Sequence, residues 1–305
     1  MARFPDGARV VFIGDSLVAA NQTLARIVEF YQREFPEAQI QFLNCGISGG
    51  TAATSRRFLE EDILIHRPTH AVIATGINDS RCAALSRPRG EEKLEVLTKA
   101  FDAYRENLTA LTEALLAANV RVTLCTPAPY DEYGDHDSAP LPGGSALMVG
   151  YAGFVRQLAA QKGLPLCDYQ AYLTQVMQTE CLFTDDRIHP TPHGYYTIAK
   201  AFLAFQGLVL PAEQPIADYL QPWNEQTLIL RRLYGAEHML LKDPAMTEAE
   251  KIAYTREKVA AKAWGSPALE VYYRTYAKYK AEQPKIRAEI LRLYEQDILS
   301  HSEKE

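Results

Sequence analysis

No uninterrupted apolar run in this chain reaches membrane-spanning length, so a spanning helix is not expected. Its first residues, Met1-Ala2-Arg3-Phe4-Pro5-Asp6-Gly7, carry no apolar signal-peptide core. Cysteine is sparse: Cys45, Cys82, Cys125, Cys167 and Cys181 are odd in number, scattered and without a C-x-x-C pair. That pattern fits reduced thiols in a cytoplasmic protein, not a disulfide frame or a zinc site. Basic charge is not in excess either. The formal net charge is −6, with acids and bases interspersed, so no nucleic-acid partner is expected. Internal repeats and low-complexity tracts are absent. What remains is an ordinary globular composition, 47% apolar over 305 residues, enough for one large domain and an appendage.

Up to about residue 207, strand-like and helix-like segments alternate. The strands are expected at Arg9–Ile13, Gln39–Leu43, His70–Thr75, Val120–Cys125 and Leu164–Cys167, each short, apolar and mostly β-branched, as strands covered on both faces are. Helical patterns fall over roughly 17–35, 52–66, 91–118, 146–162 and 192–207. The clearest is the stripe Leu94, Leu97, Phe101, Tyr104, Leu108, Leu111 and Leu115. Such alternation implies a parallel sheet with right-handed crossovers and helices on both faces.

Two stretches break the alternation. Residues 127–145 form a long loop rich in Pro, Gly and Asp, leaving the carboxyl end of the fourth strand, and long loops in compact domains are often functional. After about 210 no strand pattern follows. Pro211 and Pro215 mark a linker, Thr247 with Glu250 makes a capping box, and Ser266-Pro267 reads as a second helix start. Tyr272, Tyr276 and Tyr279 lie at helical spacing, as do Ile286, Ile290 and Tyr294. The domains expected are therefore 1–210 and a helical extension, 211–305, that packs, covers the site or makes a homo-oligomer.

The chemistry starts at Val10-Val11-Phe12-Ile13-Gly14-Asp15-Ser16-Leu17, an apolar strand that stops at a glycine and turns into a helix. Ser16 then stands at the carboxyl end of a strand, where open α/β sheets place ligands. A serine hydroxyl needs a base. Of seven histidines, His189 has the suggestive setting: in Asp186-Arg187-Ile188-His189-Pro190 an acid precedes it by three residues and can reach its Nδ1. Asp185 is the alternative acid. Oxyanion donors are offered at two more strand ends, Asn44-Cys45-Gly46-Ile47-Ser48-Gly49-Gly50-Thr51 and Thr75-Gly76-Ile77-Asn78-Asp79.

Competing readings exist. Gly46-Ile47-Ser48-Gly49-Gly50 matches the G-x-S-x-G nucleophile elbow, but it follows only the second strand. Asp135-His136-Asp137 reads as a solvated acidic loop before it reads as a metal cluster. His66, His70 and His193 read as structural or surface residues, Asp15 as structural support, and Cys45 and Cys82 as residues lining the site.

Taken together, Gly14-Asp15-Ser16-Leu17, Gly49, Gly76-x-Asn78-Asp79 and Asp186-x-x-His189-Pro190 resemble the four sequence blocks of the SGNH family, also called GDSL hydrolases. All four stand in the family's order over about 1–207. The resemblance implies a three-layer flavodoxin-like fold with strand order 2-1-3-4-5, and serine-based ester hydrolysis without metal or cofactor. It implies Ser16 as nucleophile, His189 as base and then acid, Asp186 as its orienter, and Ser16, Gly49 and Asn78 as the oxyanion hole. Within the family the expected partner is a small ester, an acetyl group on a carbohydrate. A lipase, lysophospholipase or thioesterase, and a non-catalytic binding protein on the same fold, are the alternatives.

Overall fold

The computed structural model describes residues 3–213 apart from Pro36, Gln39 and residues 87–89. Five strands form one wholly parallel sheet: β1 Arg9–Gly14, β2 Gln41–Gly46, β3 His70–Ala74, β4 Arg121–Cys125 and β5 Leu166–Cys167, in the order β2-β1-β3-β4-β5. The helices are α1 Ser16–Ala19, α2 Gln22–Glu34, α3 Ala52–Arg57, α4 Glu91–Ala117, α5 Gly144–Lys162, α6 Tyr169–Val176 and α7 Pro192–Phe205. This is the flavodoxin-like order expected from the sequence.

Successive residues of a strand point to opposite faces, and the sheet feeds two cores in this way. Val11, Ile13, Leu43, Ile73, Val122 and Leu124 enter a core closed by Tyr104, Leu108, Leu111 and Leu115 of α4 and Tyr151, Val155 and Leu158 of α5. Val10, Phe12, Phe42 and Val72 enter a second core closed by Leu24 and Ile27 of α2 and Ile198 and Phe202 of α7. Apolar side chains on both faces explain why the strands read as near-continuous apolar runs.

Several elements differ from expectation. The helix expected over 17–35 is two, because Asn21 takes a left-handed conformation, φ 63°, between α1 and α2. Over 52–66 only α3 is α-helical; a π turn, Leu59–Ile63, and a 3-10 turn, Leu64–His66, follow before Arg67 at φ 46° ends the run. β2 lies two to three residues later than expected. α6 and a 3-10 turn at Cys82–Ser86 went unread. The extension expected over 211–305, with its caps and tyrosine stripe, lies outside the described residues beyond Glu213.

Candidate active site

Three strand ends and one turn meet above the carboxyl edge of the sheet. β1 ends at Gly14, Asp15 caps α1 by accepting the Leu17 N–H at 3.0 Å, and Ser16 is the first helical residue. Its own N–H is among those a helix start leaves without an intrahelical partner. Close packing dictates glycine at the strand ends here. A Cβ on Gly14 would lie 2.4 Å from Val18 Cγ2 and 2.5 Å from the Ala74 carbonyl, and one on Gly46 would lie 2.3 Å from the Ala19 nitrogen. Asn44, in the segment expected to offer oxyanion donors, instead fastens α1 from β2: its Nδ2 donates to the Val18 carbonyl at 2.8 Å and its Oδ1 accepts the Gly46 N–H at 2.9 Å.

The loop after β2 turns at Gly49, φ 72°, and enters α3 through Thr51, whose hydroxyl accepts the Thr54 N–H. The loop after β3 is bound to it. Asn78 Nδ2 donates to the Gly50 carbonyl at 3.1 Å, and Asp79 Oδ1 accepts the Ala52 N–H at 2.9 Å. One Asn78 amide hydrogen is used there, and the side chain carries a second.

The turn before α7 holds the remaining groups. Ser16 Oγ lies 2.8 Å from His189 Nε2, and His189 Nδ1 lies 2.6 Å from Asp186 Oδ2. Asp186 Oδ1 accepts the N–H groups of Ile188 and His189, at 2.9 and 2.8 Å, and the Thr184 hydroxyl at 3.0 Å. Burial alone would raise the Asp186 carboxyl, but these backbone bonds and the His189 ring outweigh it and hold it below its ordinary value. Asp185 points elsewhere, its carboxylate 3.7 Å from His136 Nδ1.

Two acids beneath the site are buried. Burial pushes Asp15 up to about 6, against the opposing pull of the Leu17 N–H and of His189. Burial, assisted by the Asp15 charge, pushes Asp79 up to about 7.

The other residues singled out in the sequence fall as follows. Ser48 is exposed in the turn after β2. Asp135 and Asp137 are exposed, as a solvated acidic loop requires, but the His136 side chain between them is buried, its Nε2 2.7 Å from Asp131 Oδ2. Among the described residues no cluster of three His, Cys, Asp or Glu could hold a metal ion. Tyr130 packs its ring on Gly144 and accepts the Leu141 N–H; only Tyr133 of the loop's two tyrosines is exposed. Cys45 and Cys82 belong to the first core rather than to the site's lining. His66 and His70 are buried, and His193 lies half-exposed between Glu180 and Glu213. No helix among the described residues is long and apolar enough to cross a membrane.

The chain and its fold are similar to known proteins. Residues 12–196 match the model of the GDSL-like Lipase/Acylhydrolase family. An acetylxylan esterase of Geobacillus stearothermophilus is 28% identical over 214 residues, covering 65% of this chain and 93% of that protein. A solved gut microbial diltiazem-metabolizing enzyme is 26% identical with a TM-score of 0.62; the match covers 68% of this chain and 48% of that one, so this chain spans about half its length. A variant of an acetyl xylan esterase from Geobacillus stearothermophilus shares the fold, with a TM-score of 0.58 at 24% identity over 69% of this chain and 99% of that one.

Proposed function

The chain belongs to the GDSL-like lipase/acylhydrolase family and is a carboxylic ester hydrolase, and we propose that it works through an acyl-enzyme on Ser16. The observation that carries this reading is the Ser16 Oγ to His189 Nε2 to Asp186 relay, with contacts of 2.8 and 2.6 Å. His189 takes the Ser16 proton as Oγ attacks the ester carbonyl, then gives it to the leaving alcohol oxygen. Asp186 fixes the ring tautomer and balances the imidazolium. The oxyanion is met by the N–H groups of Ser16 and Gly49 and by Asn78 Nδ2, each such donor being worth about 3–4 kcal/mol of transition-state stabilisation. Water, deprotonated by His189, then attacks the acyl carbonyl, and His189 returns that proton to Ser16 Oγ as the carboxylic acid leaves.

The substrate we assign is an O-acetylated carbohydrate. Its support is the acetylxylan esterase relative and the 127–145 loop, which presents exposed Tyr133 near the turn that carries His189. An aromatic face and polar backbone suit a sugar ring better than a lipid. The test is a comparison of kcat/KM on acetylated xylo-oligosaccharides with that on long-chain acyl esters and acyl-CoA. Faster cleavage of the acetylated sugars is expected, and faster cleavage of the long-chain substrates overturns the assignment. The 211–305 extension we take as a separate unit that makes a homo-oligomer; an unchanged number of subunits in solution on its deletion would refute that role.

A further inference from the structure

Asp79 is a buried carboxyl that the proposed chemistry leaves without a role. It is 7% exposed, its Oδ1 accepts the Ala52 N–H at 2.9 Å, and its Oδ2 has no hydrogen-bond partner among the described residues. Burial of a carboxyl is costly unless both oxygens are paired. The rise of its pKa to about 7 is the sign of that uncompensated burial. Stability of the fold therefore does not explain Asp79, but the group that it holds does.

Ala52 is the first residue of α3, so its N–H has no partner within the helix, and the Thr51 cap serves Thr54 instead. The same loop carries Gly49, and its turn is fastened at both ends. On one side the Ile47 N–H donates to the Gly14 carbonyl at 2.9 Å, two residues ahead of Ser16, and the Gly50 N–H closes the turn on the Ile47 carbonyl at 2.7 Å. On the other side Asn78 Nδ2 holds the Gly50 carbonyl and Asp79 holds the Ala52 N–H. Two consecutive residues of the loop after β3 thus grip alternate residues of the loop after β2. Asp79 is itself fixed from α5, where the Tyr151 hydroxyl donates to its carbonyl at 3.3 Å.

The Asn78 amide gives one hydrogen to the Gly50 carbonyl, so the place of that carbonyl sets where its second hydrogen points. We propose that Asp79 is a positioning residue for the oxyanion hole: its grip on Ala52 sets the spacing between the Gly49 N–H and the Asn78 amide. The proposal rests on Ser16, Gly49 and Asn78 acting as described above. Without the grip the Gly50 carbonyl shifts, and two of the three donors move together. A misplacement of about 1 Å costs about a hundredfold in rate. The loss falls on kcat, since oxyanion contacts form in the transition state and not in the bound ester.

The test measures kcat and KM for p-nitrophenyl acetate, together with Tm, in the full-length protein, in Asp79→Ala and in Asp79→Asn. Asp79→Ala should lower kcat at least about tenfold and change KM less than about threefold. Asp79→Asn keeps an oxygen that accepts the Ala52 N–H and should recover most of that loss. A lower Tm with kcat unchanged in Asp79→Ala makes Asp79 a cap of α3 alone and overturns the proposal. A loss carried by KM, or no recovery in Asp79→Asn, also overturns it. Should Asp79→Ala fail to fold, Asp79→Glu keeps the acceptor but lengthens the arm by one methylene. Its kcat must then fall at least about tenfold at steady KM, and an unchanged kcat overturns the proposal. Failure of the nucleophile reading looks different, since Ser16→Ala would then retain acetate hydrolysis.

Discussion

Arg187 binds the carbonyl oxygen of Ser138 twice, through Nε at 3.0 Å and through Nη2 at 2.5 Å. Its Nη1 reaches the carbonyls of Asp131 and Gly134 at 3.0 and 3.1 Å. A side chain in the turn that carries Asp186 and His189 is thus buried in the neighbouring 131–138 loop, from a backbone held at φ 65°. Turn and loop behave as one piece.

Truncating that side chain leaves the carbonyls of Asp131, Glu132, Gly134 and Ser138 without their charged donor. Arg187→Ala is expected to cost about 2–4 kcal/mol of stability and to lower kcat, because the turn loses its anchor. Arg187→Lys should recover only part of this, a point charge replacing a planar fork. Thermal unfolding and kcat/KM on the same samples check both.

Gly46 sets how closely α1 lies on β2. Gly46→Ala places a Cβ 2.3 Å from the Ala19 nitrogen, backbone that has no room to yield except by moving α1 and Ser16 with it. Overpacking of this kind costs typically 1–3 kcal/mol. The expected outcome is a lower Tm together with a fall in kcat of tenfold or more, measured against Ala53→Ser, an exposed control on the neighbouring helix.

Asp79 makes stability depend on pH. Its carboxyl, pushed up to about 7 by burial, keeps its proton in the folded protein above the ordinary carboxylate value near 3.9. The unfolded chain has lost that proton and binds fewer, so stability falls as pH rises from about 4 to about 7. Asp79→Asn retains an acceptor for the Ala52 N–H and removes this component. Its Tm should decline less than that of the wild type between pH 5 and 8, leaving the part due to Asp15.

His193 acts in the opposite sense. Hydrogen bonds from its ring to Glu180 and Glu213 raise it above the ordinary histidine value. Its contribution is full below about 6.5 and is lost as pH rises through the raised folded value. The ring is half-exposed, so the effect is small and weakened by salt. Denaturation midpoints of wild type and His193→Gln should converge at high pH and separate below it.

The parts of the site legible in the sequence are those that local chain geometry fixes. The strand-to-turn step at Gly14-Asp15-Ser16 and the three-residue spacing of Asp186 and His189 are short-range patterns, and the structure brings their side chains together. What went unread depends on distant partners. Arg187 reaches carbonyls about fifty residues away, and His136 draws its loop inward onto Asp131. Tyr130 is buried because Gly144, lacking a Cβ, leaves room for its ring. The break at Asn21 and the π turn after α3 interrupt patterns whose apolar spacing runs on without a Gly or Pro to mark the stop. α6 was signalled only by its Asp168 cap, which accepts the Ala171 N–H.

The central claim is that Ser16 is the residue acylated by the ester. Labelling with a fluorophosphonate probe, followed by mass mapping of the modified peptide, tests it most directly. The wild type and Ser48→Ala should label at Ser16, and Ser16→Ala should not label and should lose hydrolysis of p-nitrophenyl acetate. Labelling retained in Ser16→Ala and abolished in Ser48→Ala would contradict the account.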